Sequence, residues 1–558
     1  MRLLYEETAS FAGGMNDSAA ATAYQPNEAQ FILNCRIAPD GTAQVRRGSR
    51  RLMLDSPGAG VGYGGVEFEL TDGRPQLVIF VGERAFASDD DGATWAEIAS
   101  GLPEAYWSLT TMRIRDKVNL IAANGGEHVY RWDGETWDTL PGAPAGVKYL
   151  ATFNDRLYAA GHDGNMIVAS KIRDPEEWTP PDGLEYQIGI HDGGGITGLA
   201  VAGAYLLIFK RDSVAWLDGF GNSDIIVGQG PRGVSQSIGC VAFRTIQSFG
   251  DRGVVWLSER CIHLYLNGEV HSITDRQLRE FFGSGVNWEL IDERPGVPVG
   301  AYHPALHEYW LALPSRDVQR PQNDTVIVAN GVTGALTIWR NAGTSPALSP
   351  ADVVDAQGFR IAALLPAYSF VEDDHGCIYF EGPFVGPDPE GLRIGDVVFP
   401  VEVYEAQVGH GGYAHAALFK AGRDRILSLG ADGIVRHLDH GEWDDEWPDG
   451  SFGIPFAAEV LTRPMLFGQP FRRKRARVID VLATADRDAE VEVSVVARGK
   501  DGAPRTLEFP AAEGKQPRRK RALVNGVGDT LQVRLRTTKA GLRIAGIRLA
   551  AEVLRQVA

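Results

Sequence analysis

Eight times along this chain the same local grammar returns: an apolar run, a tight turn, a second apolar run, a Gly-bearing turn, then often a tryptophan. The units open near Leu77, Val118, Asp155, Tyr205, Gly253, His307, Phe359 and Asp424, 37 to 65 residues apart. β-Propeller blades repeat at about 40–50 residues. Asp133-Gly134, Asn267-Gly268 and Asp432-Gly433 supply hairpin turns, where Asp, Asn and Gly tolerate positive φ. A unit of this kind has two apolar faces and cannot bury both alone. Blades stacked around an axis bury them between neighbours, and closing the ring removes the open edges. Eight landmarks is an upper count, because a long blade can show two. The expectation is six to eight blades.

The 66 glycines and 12 tryptophans suit many short strands joined by tight turns. Helical periodicity is confined to residues 274–282 (TDRQLREFF), where Leu278, Phe281 and Phe282 share a face and Thr274 stands in the capping position. The fold class expected is therefore all-β, a β-propeller in three-part company. Residues 1–50 form an extended, polar N-terminal arm that adds a strand to the ring or to a neighbour. Residues 51–454 form the propeller. Residues 455–558 form a C-terminal β-sandwich-like domain, because ARVIDVLATA, AEVEVSVVARG, TLQVRLRTT and LRIAGIRLAAEV alternate at strand period.

Net charge is −17, unevenly spread: residues 454–558 hold 21 basic against 11 acidic side chains, +10, leaving −27 on the rest. An acidic body is not the footprint of a protein that wraps nucleic acid with its main domain. The asymmetry suits docking between subunits, although exposed charge also serves solubility. Glu6 and Glu7 interrupt any signal-peptide core, and no apolar run approaches the roughly 18 residues of a membrane span. Cys35, Cys240, Cys261 and Cys377 lack CxxC spacing and read as buried thiols of a protein folded in a reducing cytosol.

The most specific local motif is Ser88-Asp89-Asp90-Asp91-Gly92-Ala93-Thr94-Trp95. It resembles the Asp-box, a hairpin turn of sialidase-like propellers. Asp90 is expected to accept N–H groups across the turn, Gly92 to take the special backbone angle, and Trp95 to pack beneath the neighbouring strand; Ser88 and Thr94 complete the structural set. Glycoside hydrolysis needs two carboxylates across a cleft. The clusters Asp174, Glu176, Glu177 and residues 439–446 (DHGEWDDE) both read as solvated turn carboxylates. His191-Asp192-Gly193-Gly194-Gly195 lacks the GxxxxGK[ST] pattern and reads as a turn between blades. His303 and His307 flank Pro304 and read as ordinary surface histidines rather than metal ligands. Phe471-Arg472-Arg473-Lys474-Arg475 and Arg518-Arg519-Lys520-Arg521 both read as strand edges guarded by positive charge that also dock an acidic neighbour, with Arg472, Arg473, Lys474 and Arg475 the candidate subunit-docking residues. No catalytic residue, cofactor-binding residue or metal ligand is assigned, so the chain reads as non-enzymatic.

Several stretches resemble one family. Gly13-Gly14-Met15-Asn16, Pro26-Asn27-Glu28-Ala29, Leu33-Asn34 and Val45-Arg46-Arg47-Gly48 resemble the opening of bacteriophage tail proteins. Phe153-Asn154-Asp155-Arg156-Leu157-Tyr158, with Ala169-Ser170 and Asp174-Pro175-Glu176-Glu177-Trp178, resembles one of their blades. Ile196-Thr197-Gly198-Leu199 with Leu207-Ile208-Phe209-Lys210 and Ser213-Val214 resembles the next. Val255-Trp256-Leu257-Ser258 with Leu264-Tyr265 and Asn267-Gly268 resembles the one after, although Arg260-Cys261 replaces the usual Asp-Gly. Phe467-Gly468 and Phe471-Arg472-Arg473-Lys474-Arg475 resemble the start of their C-terminal β domain. The likeness is to tail nozzle or tail tubular proteins of short-tailed phages. It implies a structural virion protein assembled in the host cytoplasm: a ring, a hexamer by that analogy, below a portal or adaptor ring. That ring would line the lower DNA-ejection channel, pass DNA without sequence-specific binding, and adjoin tail fibres. The competing readings are a carbohydrate-binding or glycan-cleaving propeller acting as a receptor-binding protein, and a cytosolic propeller scaffold.

Overall fold

The computed structural model describes residues 3–189, 194–219, 226–229, 237–250, 253–316, 322–340, five short strands between 369 and 399, 414–422, 424–450, 453–511 and 516–554. The described residues form an all-β molecule, a β-propeller joined to a β-sandwich.

Seven four-stranded antiparallel units, blades 1 to 7, stand around one axis among the described residues. Their innermost strands are Gly62–Glu69, Ser108–Ile114, Tyr149–Phe153, Ile196–Ala202, Gln247–Phe249, Val299–His303 and His415–Ala421. Consecutive inner strands touch, and the last touches the first, which closes the ring. Seven of the eight sequence landmarks fall at the second strands of these blades, from Pro75–Val81 to Arg425–Gly430. The eighth, Phe359, lies outside the described residues. Farther along, Ser369–Glu372 pairs with Ile378–Glu381, and Pro387–Asp388, Gly391–Ile394 and Val397–Phe399 pair in turn.

The second strands explain why the ring closes. In blade 1, Leu77, Ile79 and Val81 pack on blade 7, while Val78 and Phe80 pack on blade 2. In blade 4, Leu206 and Ile208 face blade 3, while Leu207 and Phe209 face blade 5. In blade 6, Trp310 and Ala312 face blade 7, and Tyr309, Leu311 and Leu313 face blade 5. Successive strand side chains point to opposite faces, so a continuous apolar run fills two interfaces. Each fully buried aliphatic side chain contributes about 1.5–3 kcal/mol. Gly65 of blade 1 is required by this packing: a Cβ there would stand 2.4 Å from the Phe419 ring of blade 7.

The N-terminal segment joins the fold in three places. Ser49–Arg51 pairs with Val435–Leu438 and is the outermost strand of blade 7, so the ring is closed by strands from distant parts of the chain. Glu28–Leu33 lies between Ala458–Thr462 of the sandwich and, through Leu33 and Ile338, the outer strand Leu336–Arg340 of blade 6. Blade 6 and one sandwich sheet thereby become one continuous eleven-stranded sheet. Leu4–Thr8 and Ala43–Val45 both pair with Arg543–Val553 in the other sandwich sheet. The sandwich is thus built from both ends of the chain rather than from residues 455–558 alone. Its core takes every second side chain of its strands, among them Ile479, Val481, Val491, Val493, Val533, Leu535, Ile547 and Leu549.

The expected helix over 274–282 is displaced. Thr274 does not cap it: its hydroxyl accepts the Ile262 N–H at 2.9 Å and helps close blade 5. A turn follows, then a π-helical turn at Phe281–Gly285 and a short helix Trp288–Glu293, capped by Asn287 Oδ1 accepting the Leu290 N–H at 3.1 Å. Leu278 and Phe282 still supply the buried face. The Arg260-Cys261 turn is accommodated with Arg260 at φ +60°.

Candidate functional site

The inner strands line a cavity of about 330 Å³ on the propeller axis, open to solvent, with lining residues from all seven blades. Four aromatic side chains, Trp107, Tyr149, Phe243 and Phe419, stand among its lining residues, between polar groups and backbone. Arg244, in the short 3-10 turn Phe243–Thr245 ahead of the blade 5 inner strand, borders it and is 8% exposed. Arg244 Nη1 donates to Gly296 O at 2.8 Å and Nη2 to Ala416 O at 2.5 Å, and the guanidinium lies 4.6 Å over the Tyr106 ring. No carboxylate pairs with it among the described residues. Burial pulls its pKa down to about 10, so it remains charged at neutral pH. The one carboxylate among the described lining residues, Glu67, accepts the Gly422 N–H at 2.6 Å. Nothing in the sequence marks Arg244, because its partners are backbone carbonyls of remote segments.

The Asp-box residues come together as a turn on the rim of blade 1, between Arg84–Ser88 and Ala96–Ser100. Asp90 accepts the Thr94 N–H at 2.8 Å and the Thr94 hydroxyl at 2.6 Å, and Ser88 Oγ accepts the Gly92 N–H at 2.9 Å. Hydrogen bonds from the Thr94 hydroxyl and N–H, and then from the Ser88 hydroxyl at 2.8 Å, hold the Asp90 carboxyl down to about 2. Trp95 packs with Leu52 on the interface of blades 7 and 1. Asp91 receives both Nη groups of Arg425 from blade 7 at 2.6 Å. Gly92 sits at φ +88°, with Leu52 Cδ1 2.5 Å from where a Cβ would stand. Gly92→Ala is expected to cost about 1–2 kcal/mol, read as a lower midpoint in urea denaturation.

Of the two acidic clusters, one is solvated and one is not. Glu176 meets Arg131 at 2.6 Å and Asp174 meets Lys171 at 3.5 Å, all partly exposed. Residues 444–446, expected as loop carboxylates, are buried instead. Asp444 is gripped by Arg46 through bonds of 2.7 and 2.6 Å. Asp445 takes Arg51 at 2.7 and 2.5 Å and Arg436 at 2.6 Å, and Glu446 pairs with Arg50. Arg436 also forks onto Asp432 at 2.9 and 2.6 Å. Burial alone would raise the Asp445 pKa, but the Arg51 and Arg436 guanidiniums outweigh it and hold it well below the usual carboxylate range. The acidic turn is the receptor of an electrostatic latch on the N-terminal strand, and sequence alone does not pair segments some 390 residues apart.

The docking candidates divide. Phe471 is 92% exposed, and Arg472 and Arg473 are exposed beside it. Lys474 is withdrawn: it opens strand Lys474–Thr484 on the core-facing register, fully buried, with Nζ donating to Arg472 O and Asp529 O. Arg475 is half-buried. Arg519 and Arg521 lie on Arg518–Gly528, the end strand of its sheet, and converge with Arg548 on Asp480. Cys35, Cys240 and Cys261 are free and buried, the first two pushed up to about 12 by burial; Cys377 lies outside the described residues. His191 to Gly193 also lie outside them. His303 is buried rather than a surface residue, while His307 forms the turn after it at φ +52°. No group of potential metal ligands occurs among the described residues, and no described helix is long and apolar enough to cross a membrane.

No protein-family model matches the chain, and no curated protein matches it. Among solved structures it is similar to a chain of the mitotic checkpoint complex, at 11% identity and TM-score 0.38, covering 70% of this chain and 90% of that one. BamB from Moraxella catarrhalis gives 13% and 0.33 over 68% and 83%. YCF48 from Cyanidioschyzon merolae gives 12% and 0.37 over 70% and 98%. Similarities this remote say nothing of function, and the propeller assignment rests on the ring closure described above.

Proposed function

We propose that this chain is a structural subunit of a phage virion tail, one copy of a nozzle-like ring that surrounds the DNA-ejection path and docks adaptor and fibre proteins. One observation carries the reading: the residues of the tail-protein-like opening are the buried polar residues that fasten the N-terminal segment. Asn16 Nδ2 donates to Glu28 at 3.1 Å, Asn34 Nδ2 donates to Ala457 O at 2.7 Å, Asn34 Oδ1 accepts from Arg46 Nε at 3.0 Å, and Arg46 grips Asp444. A motif spent on locking shape, not on lining a pocket, suits a protein whose task is to hold form.

The propeller's own axis is a small cavity lined by side chains, so in this reading the DNA conduit lies between subunits. Acidic propeller surface turned to that conduit would repel phosphate and keep the duplex from adhering. Contact between neighbours falls to the basic sandwich, with exposed Phe471, Arg472 and Arg473 as its leading edge. A repeated heterologous contact closes into a ring when its rotation permits. Negative-stain imaging with mass photometry tests this. Six-fold rings are expected, and Arg472→Glu with Arg473→Glu should release monomers of unchanged melting temperature. Monomers at every concentration, with no ring formed on adding the adaptor, would reject it.

A further inference from the structure

The axial cavity holds an imbalance that ring-building does not use. Two of the five N–H donors of Arg244 go to Gly296 O and Ala416 O, and no described carboxylate neutralises its charge. Carbonyl dipoles satisfy hydrogen bonds without cancelling a net charge, and a buried unpaired charge is costly. The second cation at the cavity, exposed Lys420, has no ion pair among the described residues either. Glu67 accepts the Gly422 N–H, which likewise leaves its charge in place, so the described lining carries two cations against one carboxylate. The cavity is therefore a cationic pocket inside a propeller whose overall charge is strongly negative.

We propose that this cavity binds a small organic anion, a monocarboxylate carrying a flat apolar body, with Arg244 as anchor and Trp107, Tyr149, Phe243 and Phe419 as walls. The volume of about 330 Å³ lies at the small end of ligand pockets. A guanidinium matches a carboxylate through paired N–H donors. Arg244 and Lys420 against Glu67 leave the described lining at a net +1, which a single negative charge balances and a phosphate dianion exceeds. Aromatic walls favour a planar body, which stacks or packs edge-on. The inference is independent of the tail assignment, because it concerns the axis of one propeller and not the axis of a ring.

The test uses the full chain with benzoate as probe and benzamide as its neutral twin. Saturation-transfer NMR and thermal shift should show benzoate binding at least about tenfold more tightly than benzamide, the ratio expected for one charge-assisted contact. Arg244→Gln should lose at least that factor. Because Arg244 also ties Gly296 to Ala416, a second variant is needed in case the first fails to fold. Leu199→Trp fills the cavity from the blade 4 inner strand and should abolish benzoate binding without touching the guanidinium. Equal binding of the two probes, absence of benzoate binding at millimolar concentration, or binding retained in Leu199→Trp would overturn the proposal. Ring assembly measured on the same variants should be unchanged.

Discussion

Asp445→Asn lowers the unfolding free energy by about 3–5 kcal/mol, the usual cost of removing one partner from a buried ion pair. The carboxylate is 1% exposed and holds Arg51 of the N-terminal strand together with Arg436 of blade 7. Removing its charge leaves two guanidiniums beside each other in a dry interface, Arg436 still paired with Asp432. The matched control is Asp138→Asn, which removes a half-exposed partner of Arg131 and should cost less than about 1 kcal/mol. Urea denaturation of both variants measures the contrast; equal midpoints would mean that the latch contributes no more than a surface pair. Acid should act in the same direction. The folded pKa of Asp445 is depressed, so its stabilisation is present above the unfolded value and is lost as pH falls through the folded one. His415, buried near the latch, is pushed down to about 3, first by burial and then by Arg436 and Arg46. Between about 6.5 and that value the unfolded chain binds the proton and the folded chain does not, so stability declines on acidification through this window. Melting temperature is expected to fall steadily from pH 7 to pH 4, and His415→Gln should flatten the fall.

Deleting residues 1–54 is expected to abolish the cooperative unfolding transition altogether. The deletion removes the fourth strand of blade 7 and five strands of the two sandwich sheets, one of which also pairs with blade 6. It also takes Phe11, Met15, Ile32, Ile37 and Val45 from the largest core cluster, at about 1.5–3 kcal/mol for each large side chain. Val435–Leu438 and Ala458–Thr462 would become open strand edges, which recruit other chains. Light scattering should report aggregation, and hydrogen exchange should show lost protection first in those two strands. Adding the excised segment back as a peptide should restore protection there. A truncated chain melting within a few degrees of the intact one would mean that ring closure does not depend on the N-terminal strand.

These two predictions mark the boundary between what residues announce and what only packing reveals. The repeat was legible because blade strands obey local rules. Alternation sets which side chain faces which neighbour, Asp-Gly and Asn-Gly turns set the hairpins, and the Asp-box carries its hydrogen bonds within seven residues. The displaced helix at 274–282 shows the limit of local rules, since the Thr274 hydroxyl satisfies a strand N–H that sequence does not bring near.

By itself, then, the chain's order of residues determined an all-β propeller with a β-sandwich, since hairpin modules with two apolar faces have no other partner than their own kind. Only the tertiary structure decided that the described residues form seven blades, that the N-terminal strand closes the seventh, and that residues 444–446 are buried latch carboxylates. It alone decided that Lys474 turns inward and that Arg244 stands on the axis with no carboxylate partner among the described residues. The physical reason is range. Strand period and turn chemistry act over a few residues, whereas ion pairing and desolvation depend on which distant segments meet, and that is settled only when the ring shuts.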